Sequence, residues 1–313
     1  MNDSPPALEL MRGIVLSGTG GVWRVLADDG ETYETALRGR LKLGGTKLAV
    51  GDEVELERDD RGDALAIAEI HPRRSKLGRR APGGGHGERI VISNVDQVVV
   101  VFALVKPAPH PRMLDRFLVI AEANELAARI VINKVDLASE SDAEVQFADY
   151  WRAGYPVHLT STKDRGRGLE PLHDALRGKT SVLTGPSGVG KSSLMNALYP
   201  GLGLRVGAIS ESVNKGRHTT VGALLHPLPD GGFVADTPGL REIGMWGLDP
   251  AGLDDCFPEF RPLTPLCRFA DCTHTVEPNC AVLDALSRGE VSAARHDSYV
   301  RLREELSEAA KLR

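Results

Sequence analysis

Residues 185–193 carry the strongest chemical pattern in the chain, a glycine-rich turn that ends in Lys-Ser-Ser. Its glycines permit consecutive backbone N–H groups to converge on phosphate oxygens at a helix N-terminus. The lysine of such a turn reaches the β- and γ-phosphates, and the following serine ligates Mg²⁺. Because an apolar strand precedes the turn and a helix is predicted after it, we expect a phosphate loop made of Gly185, Pro186, Ser187, Gly188, Val189, Gly190, Lys191, Ser192 and Ser193.

A second motif, Asn-Lys-Val-Asp, follows another predicted buried strand and bears on the identity of the base. The Asp136 carboxylate can accept hydrogen bonds from guanine N1–H and the exocyclic N2 amine, whereas adenine presents no donor at position 1. This predicts GTP and GDP as ligands. By resemblance to other GTPases, Lys134 lies along the base and Asn133 ties this loop to the phosphate loop. A second guanine-contacting loop is expected at Ser161 and Thr162, where Thr162 departs from the usual Ser-Ala pair.

Two further stretches complete a predicted magnesium site. An apolar strand ends in Asp-Thr-Pro-Gly, where Asp236 can hold Mg²⁺ through water and the Gly239 N–H can sense the γ-phosphate. Between this motif and the phosphate loop lies Gly-Arg-His-Thr-Thr. One of its threonine hydroxyls, Thr220 in preference to Thr219, can join Ser192 on Mg²⁺ only when GTP is bound. The alternative is that these threonines cap a strand.

The residue after Asp-x-x-Gly bears on hydrolysis. Many GTPases place a glutamine there to orient the attacking water, but this chain has Leu240, whose side chain forms no hydrogen bonds. We therefore expect slow intrinsic turnover. Either His218 positions the water or a partner completes the site, and a solvated loop histidine is the plainer interpretation of His218.

The last fifth of the chain contains a metal-ligand pattern, Cys-x4-Cys-x-His-x5-Cys. Three thiolates and one imidazole make a closed tetrahedral shell for one structural Zn²⁺, with no position open for water. So short a segment has little core of its own, so the metal would contribute folding energy directly. The predicted ligands are Cys267, Cys272, His274 and Cys280, whereas Cys256 is expected to be a small buried side chain.

Composition limits the class of protein. The 313 residues are 42% hydrophobic and carry a net charge of −5, which suits one large core with smaller domains beside it. A negative chain has no global attraction to nucleic acid, so such a partner must meet local basic patches such as residues 73–80. The longest apolar run, 98–105, is too short to cross a bilayer. We expect a cytoplasmic monomer with no membrane partner.

Hydrophobic periodicity divides the chain into predicted domains. Residues 1–72 show short alternating runs typical of a small β-barrel, and an OB-fold or an SH3-like barrel would give this pattern. Residues 73–92 are predicted as a basic and glycine-rich linker. Residues 93–245 alternate apolar strands with amphipathic helices, which predicts a doubly wound α/β nucleotide domain. Residues 246–313 are predicted as a helical zinc-binding domain that ends in an amphipathic helix.

The order of the motifs is unusual, because the guanine motif precedes the phosphate loop, the reverse of most GTPases. The central domain is thus predicted to be a circularly permuted GTPase. With the N-terminal OB-fold and the Asn-Val-Asp-Gln stretch at 94–97, these motifs resemble the RsgA or YjeQ family of ribosome small-subunit-dependent GTPases over nearly the whole chain. Members of that family carry a hydrophobic residue where this chain has Leu240.

The resemblance implies a factor that binds the small ribosomal subunit and its rRNA late in maturation, hydrolyses GTP under stimulation by the subunit, and then leaves. The alternative function is a nucleotide-gated RNA-binding module in which hydrolysis is incidental. Permutation makes residues 236–240 the last GTPase motif before the zinc-binding segment. We therefore predict that γ-phosphate loss at Gly239 is transmitted to that segment and changes its hold on the ribosome.

Overall fold

The computed structural model describes residues 10–39, 41, 47–58, 64–80, 88–164, 166–204, 223–236 and 248–311. Within these ranges the chain forms a closed barrel, a two-stranded ribbon, a six-stranded sheet and a helical C-terminal region. No helix in the described ranges is both long and apolar enough to span a bilayer.

The N-terminal barrel closes through five strands in the order β1-β2-β3-β5-β4. Side chains alternate between the two faces of a strand, and Val15, Val25 and Ile67 are therefore completely buried inside the barrel. This closed barrel confirms the predicted OB-like fold of the region. Its strands are Met11–Thr19 (β1), Val22–Ala27 (β2), Thr32–Leu37 (β3), Glu53–Arg58 (β4) and Leu65–Ile70 (β5).

An antiparallel ribbon follows the barrel, formed by Lys76–Arg80 (β6) and Glu88–Ser93 (β7). The sequence predicts a linker over 73–92, and the ribbon occupies much of that stretch. Its inward residues Leu77 and Ile92 are fully buried and belong to the same hydrophobic core as the central sheet. Apolar burial therefore holds the ribbon against the rest of the protein.

The central sheet has six strands in the order β10-β9-β8-β11-β13-β12. All neighbours run parallel except β12, which pairs antiparallel with β13. This arrangement confirms the predicted α/β domain. Its elements are Gln97–Ala103 (β8), Pro111–Ala123 (α1), Ala127–Asn133 (β9), Glu140–Arg152 (α2), Val157–Leu159 (β10), Leu169–Leu176 (α3), Thr180–Thr184 (β11), Lys191–Leu198 (α4), Leu224–Pro227 (β12) and Phe233–Asp236 (β13).

The central strand β8 shows why this sheet lies inside the protein. All seven of its residues are buried, as expected for a parallel strand covered by helices on both faces. Parallel strands also place their carboxyl ends at one edge, where ligands of doubly wound sheets bind. The loops that follow β9, β10, β11 and β13 therefore begin at the same edge of the sheet.

The C-terminal region consists of short 3₁₀ turns and two α-helices, Ala281–Ser287 (α5) and Ala293–Lys311 (α6). Its core is aromatic: the Phe257 and Phe260 rings lie 5.2 Å apart, and Tyr299 packs edge-on against Phe260 at 5.1 Å. Leu302 and Leu306 are buried on the same face of α6 as Tyr299, which confirms the predicted amphipathic helix. Cys256 is also buried, as predicted.

A cluster of buried polar groups, called the barrel joint below, connects the barrel to the elements that follow it: Asp52, Arg73, Ser93 and Asn94. The Asp52 carboxylate is fully buried. It accepts hydrogen bonds from Arg73 Nε at 2.6 Å and Nη2 at 2.8 Å. The Ser93 hydroxyl donates at 2.7 Å and the Ala49 N–H at 2.7 Å. These protein donors compensate the buried carboxylate charge.

Asn94 and Asp96 extend the barrel joint into the central sheet. The Asn94 side chain donates to the Gly51 carbonyl at 2.9 Å and accepts from the Arg74 N–H at 2.8 Å. Two residues later, the Asp96 carboxylate accepts from the Thr180 N–H at 2.8 Å. The Asn-Val-Asp-Gln stretch thus hydrogen-bonds the barrel at its start and strand β11 at its end.

A second buried cluster, called the C-terminal joint below, attaches the C-terminal region to α1: Arg295, Asp115 and Glu259. The Arg295 guanidinium lies 2.6 Å from Asp115 Oδ1 and 2.7 Å from Glu259 Oε1, and it stacks 4.5 Å above the Phe257 ring. Burial opposes its charge, but the two carboxylates raise the pKa of Arg295 above its ordinary value. The cation therefore stays charged inside the protein.

Candidate nucleotide site and metal-ligand cluster

The phosphate loop connects β11 to α4, as its sequence predicts. Gly185 has φ +131° and Gly190 has φ +94°, values that L side chains rarely adopt. A Cβ at Gly185 would lie 2.0 Å from the Val101 carbonyl oxygen, and one at Gly190 would lie 2.6 Å from Asn133 Nδ2. Both positions therefore require glycine for space as well as for conformation.

Lys191 begins α4, and its side chain folds over the loop. Its ammonium donates to the carbonyls of Gly185 at 2.9 Å and Pro186 at 2.8 Å. Ser192, the next residue, is buried at the start of the helix. The predicted phosphate-loop residues thus form one turn with Lys191 across it, and the turn also contains Ser187, Gly188, Val189 and Ser193.

The guanine motif is fastened directly to the phosphate loop. Asn133 ends β9 and donates from Nδ2 to the Val189 carbonyl at 2.9 Å. Lys134 adopts the left-handed region at φ +63°, and its ammonium lies 2.5 Å from the carbonyls of both Gly188 and Lys106. The tie between the two loops expected for Asn133 is therefore present in the structure. Lys106 lies outside every motif in the sequence, so its carbonyl was not predicted as a partner of Lys134.

Ser161 holds the Asp136 carboxylate, the group predicted to recognise guanine. Its buried hydroxyl donates to Asp136 Oδ1 at 2.6 Å and accepts from the N–H groups of Lys163 at 3.1 Å and Asp164 at 3.0 Å. Asp136 itself is exposed, so its carboxylate is held in place and accessible. Thr162 is half-buried beside Ser161. The sequence pattern predicts Ser161 beside the base, but it does not predict the hydrogen bond from Ser161 to Asp136, which joins residues 25 positions apart.

Only some of the residues predicted to lie around Mg²⁺ and the γ-phosphate are among the described residues. Asp236 ends β13 and pairs in register with Leu183 of the strand that leads into the phosphate loop. The parallel sheet therefore brings the backbone of Asp236 to the same edge as Ser192. The other predicted residues of this side, His218, Thr220 and Gly239, lie outside the described residues.

The four predicted metal ligands converge on one point. Their donor atoms all lie within 4.8 Å of one another. Cys267 Sγ is 3.6 Å from His274 Nδ1 and 3.9 Å from Cys280 Sγ, and His274 Nδ1 is 3.4 Å from Cys280 Sγ. A tetrahedral Zn²⁺ with ordinary bond lengths requires about 3.8 Å between two sulfurs and about 3.5 Å between sulfur and nitrogen. The donor set, which includes Cys272, therefore fits a zinc ion.

A bound metal would change the protonation of the three thiols. Burial raises the pKa of the Cys272 thiol to about 12 and also raises that of Cys280. At the Cys267 thiol the effect of burial is opposed by hydrogen bonds from the Ala281 and Val282 backbone, and its pKa is lowered. Without a metal, Cys272 and Cys280 therefore favour the neutral thiol, and a cation beside them would favour the thiolate. A bound zinc ion would supply that charge and would hold the loop 267–280 together.

Residues outside the motif support the histidine ligand. The second ring nitrogen of His274, Nε2, lies 3.4 Å from Asp254 Oδ2. The hydrogen bond to His274 lowers the pKa of Asp254. His296 Nε2 lies 2.8 Å from the His274 carbonyl, and the Tyr299 hydroxyl donates to the Thr273 carbonyl at 2.9 Å. Asp254, His296 and Tyr299 all lie outside the ligand pattern, so the spacing of the predicted ligands gives no indication of these contacts.

Known proteins resemble this chain over most of its length. The RsgA GTPase family matches residues 70–246, and the RsgA N-terminal domain matches residues 12–66. The chain belongs to the RsgA GTPase family. A relative from Gemmatimonas aurantiaca, "Small ribosomal subunit biogenesis GTPase RsgA", is 62% identical over 298 residues, which cover 94% of this chain and 97% of the relative.

Two solved structures share the fold of this RsgA-family chain. The crystal structure of YjeQ from Thermotoga maritima has 37% sequence identity and a TM-score of 0.79, and covers 95% of this chain and 98% of its own. YloQ, described as a circularly permuted GTPase, has 30% identity and a TM-score of 0.77, with 98% and 99% covered. These similarities confirm the predicted family, GTPase class and circular permutation. The domain boundaries and the roles of individual residues stay predictions.

Proposed function

We propose that this RsgA-family chain is a GTPase of small ribosomal subunit maturation, whose hydrolysis of GTP is stimulated by that subunit. The observation that carries the proposal is the fastening of the guanine loop to the phosphate loop through Asn133 and Lys134, in a chain of this family. The relatives are named small ribosomal subunit biogenesis GTPase, and this name indicates the small ribosomal subunit as the partner.

Recognition of GTP and GDP is assigned to three parts of the site. Asp136, held by Ser161, accepts hydrogen bonds from guanine N1–H and N2, while Lys134 lies along the base and Thr162 borders it. The phosphate-loop N–H groups and Lys191 hold the β- and γ-phosphates. Mg²⁺ is held by Ser192 and Thr220, and by Asp236 through water.

Hydrolysis is assigned to the Asp-Thr-Pro-Gly and Gly-Arg-His-Thr-Thr stretches. The Gly239 N–H senses the γ-phosphate, and either His218 or a group from the ribosome positions the attacking water, since Leu240 offers no hydrogen bond. Loss of the γ-phosphate at Gly239 then releases the C-terminal region's hold on the ribosome. We place the zinc ion on Cys267, Cys272, His274 and Cys280 in a structural role, because these four ligands complete its tetrahedral shell.

The protein acts as a monomer in the cytoplasm, bound to rRNA through local basic surfaces. Arg73 and Arg74, which the sequence placed in a basic RNA-contacting stretch, are engaged within the protein. Arg73 is paired with Asp52, and Arg74 lies 3.1 Å from Asp96. Contact with rRNA is therefore assigned to Arg74, whose side chain is 60% exposed, and to other basic groups of the barrel and ribbon. Arg73 is left out of this surface, because its pairing with the buried Asp52 leaves little attraction for phosphate.

The test is GTP hydrolysis measured with purified small subunits, large subunits and free rRNA. Strong stimulation by small subunits alone supports the proposal. Stimulation by all three, or by none, contradicts it and favours the RNA-binding module in which hydrolysis is incidental. The His218→Ala variant locates the water-positioning group, because an unchanged stimulated rate removes His218 from the mechanism.

Base recognition is tested separately. Asp136→Asn replaces one acceptor of the carboxylate by a donor, which clashes with guanine N1–H or N2 and suits xanthine. We expect preference to shift from GTP to xanthosine triphosphate. The matched control is Asp164→Asn, a nearby exposed carboxylate that lies 3.9 Å from Arg167. Equal loss of GTP binding in both variants would show that Asp136 does not read the base.

A further inference from the structure

A carboxylate from outside the Cys-x4-Cys-x-His-x5-Cys pattern, that of Asp254, lies beside the predicted zinc ligands. Asp254 Oδ2 lies 3.4 Å from His274 Nε2, while His274 Nδ1 faces the sulfurs of Cys267 and Cys280 at 3.6 and 3.4 Å. The two nitrogens of the ring therefore have different partners. One points into the metal-ligand cluster and the other points at a carboxylate.

The backbone holds the ring in this orientation. His274 has φ +57°, in the left-handed region, which side chains other than glycine adopt only when their surroundings impose it. The His274 carbonyl is 2.8 Å from His296 Nε2, and the preceding carbonyl, that of Thr273, accepts from Tyr299 at 2.9 Å. Both partners belong to α6. These two contacts with α6 fix the backbone at Thr273 and His274, and the fixed backbone orients the imidazole ring.

Asp254 comes from a segment that is positioned independently of the metal ligands. It begins the 3₁₀ turn Asp254–Cys256, which packs against α1. The residue after this turn, Phe257, is fully buried. Arg261 also links the segment to α1, since it donates to the Asp255 carbonyl at 2.8 Å and to Glu122 at 2.6 Å. The carboxylate is thus held in place by packing against the nucleotide domain.

We propose that Asp254 is a positioning residue for the zinc site: it accepts a hydrogen bond from His274 Nε2–H and so fixes the tautomer whose Nδ1 lone pair is directed at the metal. The proposal rests on the proposed zinc binding by Cys267, Cys272, His274 and Cys280. A carboxylate on the far nitrogen fixes the tautomer and orientation of a histidine ligand and increases its basicity. The zinc site thereby includes a residue of the segment that packs on the nucleotide domain.

The test measures zinc affinity by chelator competition on the full-length chain. Asp254→Asn keeps the shape of the side chain but loses its charge, and we expect zinc to bind about 10- to 100-fold more weakly. The matched control is Asp255→Asn, which changes the neighbouring exposed carboxylate and should retain wild-type affinity. Equal affinity in Asp254→Asn and wild type overturns the proposal. Equal weakening in both variants also overturns it.

A merely structural role for Asp254 gives a different result. Such a role would lower the melting temperature of metal-loaded and metal-free protein equally and leave the zinc affinity of the folded chain unchanged. The Co²⁺-substituted protein adds a spectroscopic readout: Asp254→Asn should keep the absorption of a three-sulfur, one-nitrogen tetrahedral site while binding Co²⁺ more weakly. A wild-type chain that binds no zinc would instead contradict the metal site itself, so the two failures are distinguishable.

A measurement on the wild-type chain covers the case in which Asp254→Asn does not fold. Nitrogen NMR of the zinc-loaded protein reports which ring nitrogen of His274 binds the metal and which carries the proton. We expect metal at Nδ1 and a slowly exchanging proton at Nε2. Metal at Nε2, or a rapidly exchanging Nε2 proton, overturns the proposal.

Discussion

The barrel joint and the C-terminal joint attach two different regions to the same nucleotide domain, and they do so in different ways. In the barrel joint, Asp52 is paired with an arginine 21 positions away and also accepts from a main-chain N–H. In the C-terminal joint, Arg295 is paired with Asp115 across 180 positions, through side chains alone. The first joint follows the path of the chain, whereas the second bridges its distant parts.

The difference has an energetic consequence. Removing Arg73 would leave Asp52 with the Ser93 and Ala49 donors. Removing Arg295 would leave Asp115, which is almost completely buried, and the mostly buried Glu259 without their shared cation. An uncompensated buried charge is far more costly than the net stabilisation from a complete pair. The C-terminal joint should therefore be the more sensitive of the two to a single substitution.

The largest effect is expected at Arg295. Arg295→Met keeps much of the apolar volume but leaves two carboxylates unpaired, and we expect a loss of about 3–5 kcal/mol in the free energy of unfolding. Urea denaturation followed by circular dichroism measures it. Arg301→Met, which changes an exposed arginine of the same helix paired with Asp297, is the control. A loss in Arg295→Met no greater than in the control would show that the joint does not depend on this charge.

A smaller loss is expected in the barrel joint. Asp52→Asn removes the charge that pairs with Arg73 but leaves an oxygen able to accept from Ser93 or Ala49, so we expect a loss of about 2–3 kcal/mol. The same denaturation experiment on Glu53→Gln, an exposed neighbour 3.8 Å from Arg74, provides the comparison. If Asp52→Asn costs more than Arg295→Met, the proposed ranking of the two joints is reversed.

Two substitutions at Asn94 distinguish the contribution of its side-chain hydrogen bonds from that of its backbone conformation. Its φ of +54° disfavours alanine, and its side chain makes hydrogen bonds to Gly51 and Arg74. We expect Asn94→Ala to lose about 1–2 kcal/mol of stability. Asn94→Gly should recover about 0.5–1 kcal/mol of that loss because glycine adopts positive φ readily. Identical melting curves for the two variants would remove backbone conformation from the explanation.

The smallest effect is expected from the exposed ion pair between α1 and α6. Arg112 lies 3.1 Å from Asp297, and both side chains are about half exposed, at 51% and 48%. Such pairs contribute little because solvent screens them. We expect Arg112→Ala to change the free energy of unfolding by at most about 0.5 kcal/mol. A loss above 1.5 kcal/mol would mean that the surface pairs, rather than Arg295, carry the C-terminal joint.

Several parts of the site were accessible from the sequence because they depend on short spacings. The phosphate loop, the guanine motif and the predicted zinc ligands each occupy a stretch of the chain in which residue type and interval are enough to imply the chemistry. The structure brings the described members of each set together, with Lys191 across its loop and four metal donors within 4.8 Å.

The partners of those residues were not accessible in the same way. Three such contacts are those of Ser161 with Asp136, of Lys106 with Lys134, and of Asp254 with His274. No local sequence pattern predicts them. The segment 73–92 shows the same limit for the fold. Its basic and glycine-rich composition predicts a linker, whereas its described strands β6 and β7 pair as a ribbon whose Leu77 and Ile92 are buried in the central core.

The class of chemistry, the family and the order of barrel, permuted nucleotide domain and Cys/His segment can all be predicted from the residues alone, because periodicity and motif spacing are local properties of a chain. The way in which these units are attached to one another is established only on folding. From the sequence, Arg295 cannot be distinguished from the surface arginines of the same polar helix. Folding brings Asp115 and Glu259 next to it. Burial and pairing depend on which distant residues become neighbours, and that is a property of packing.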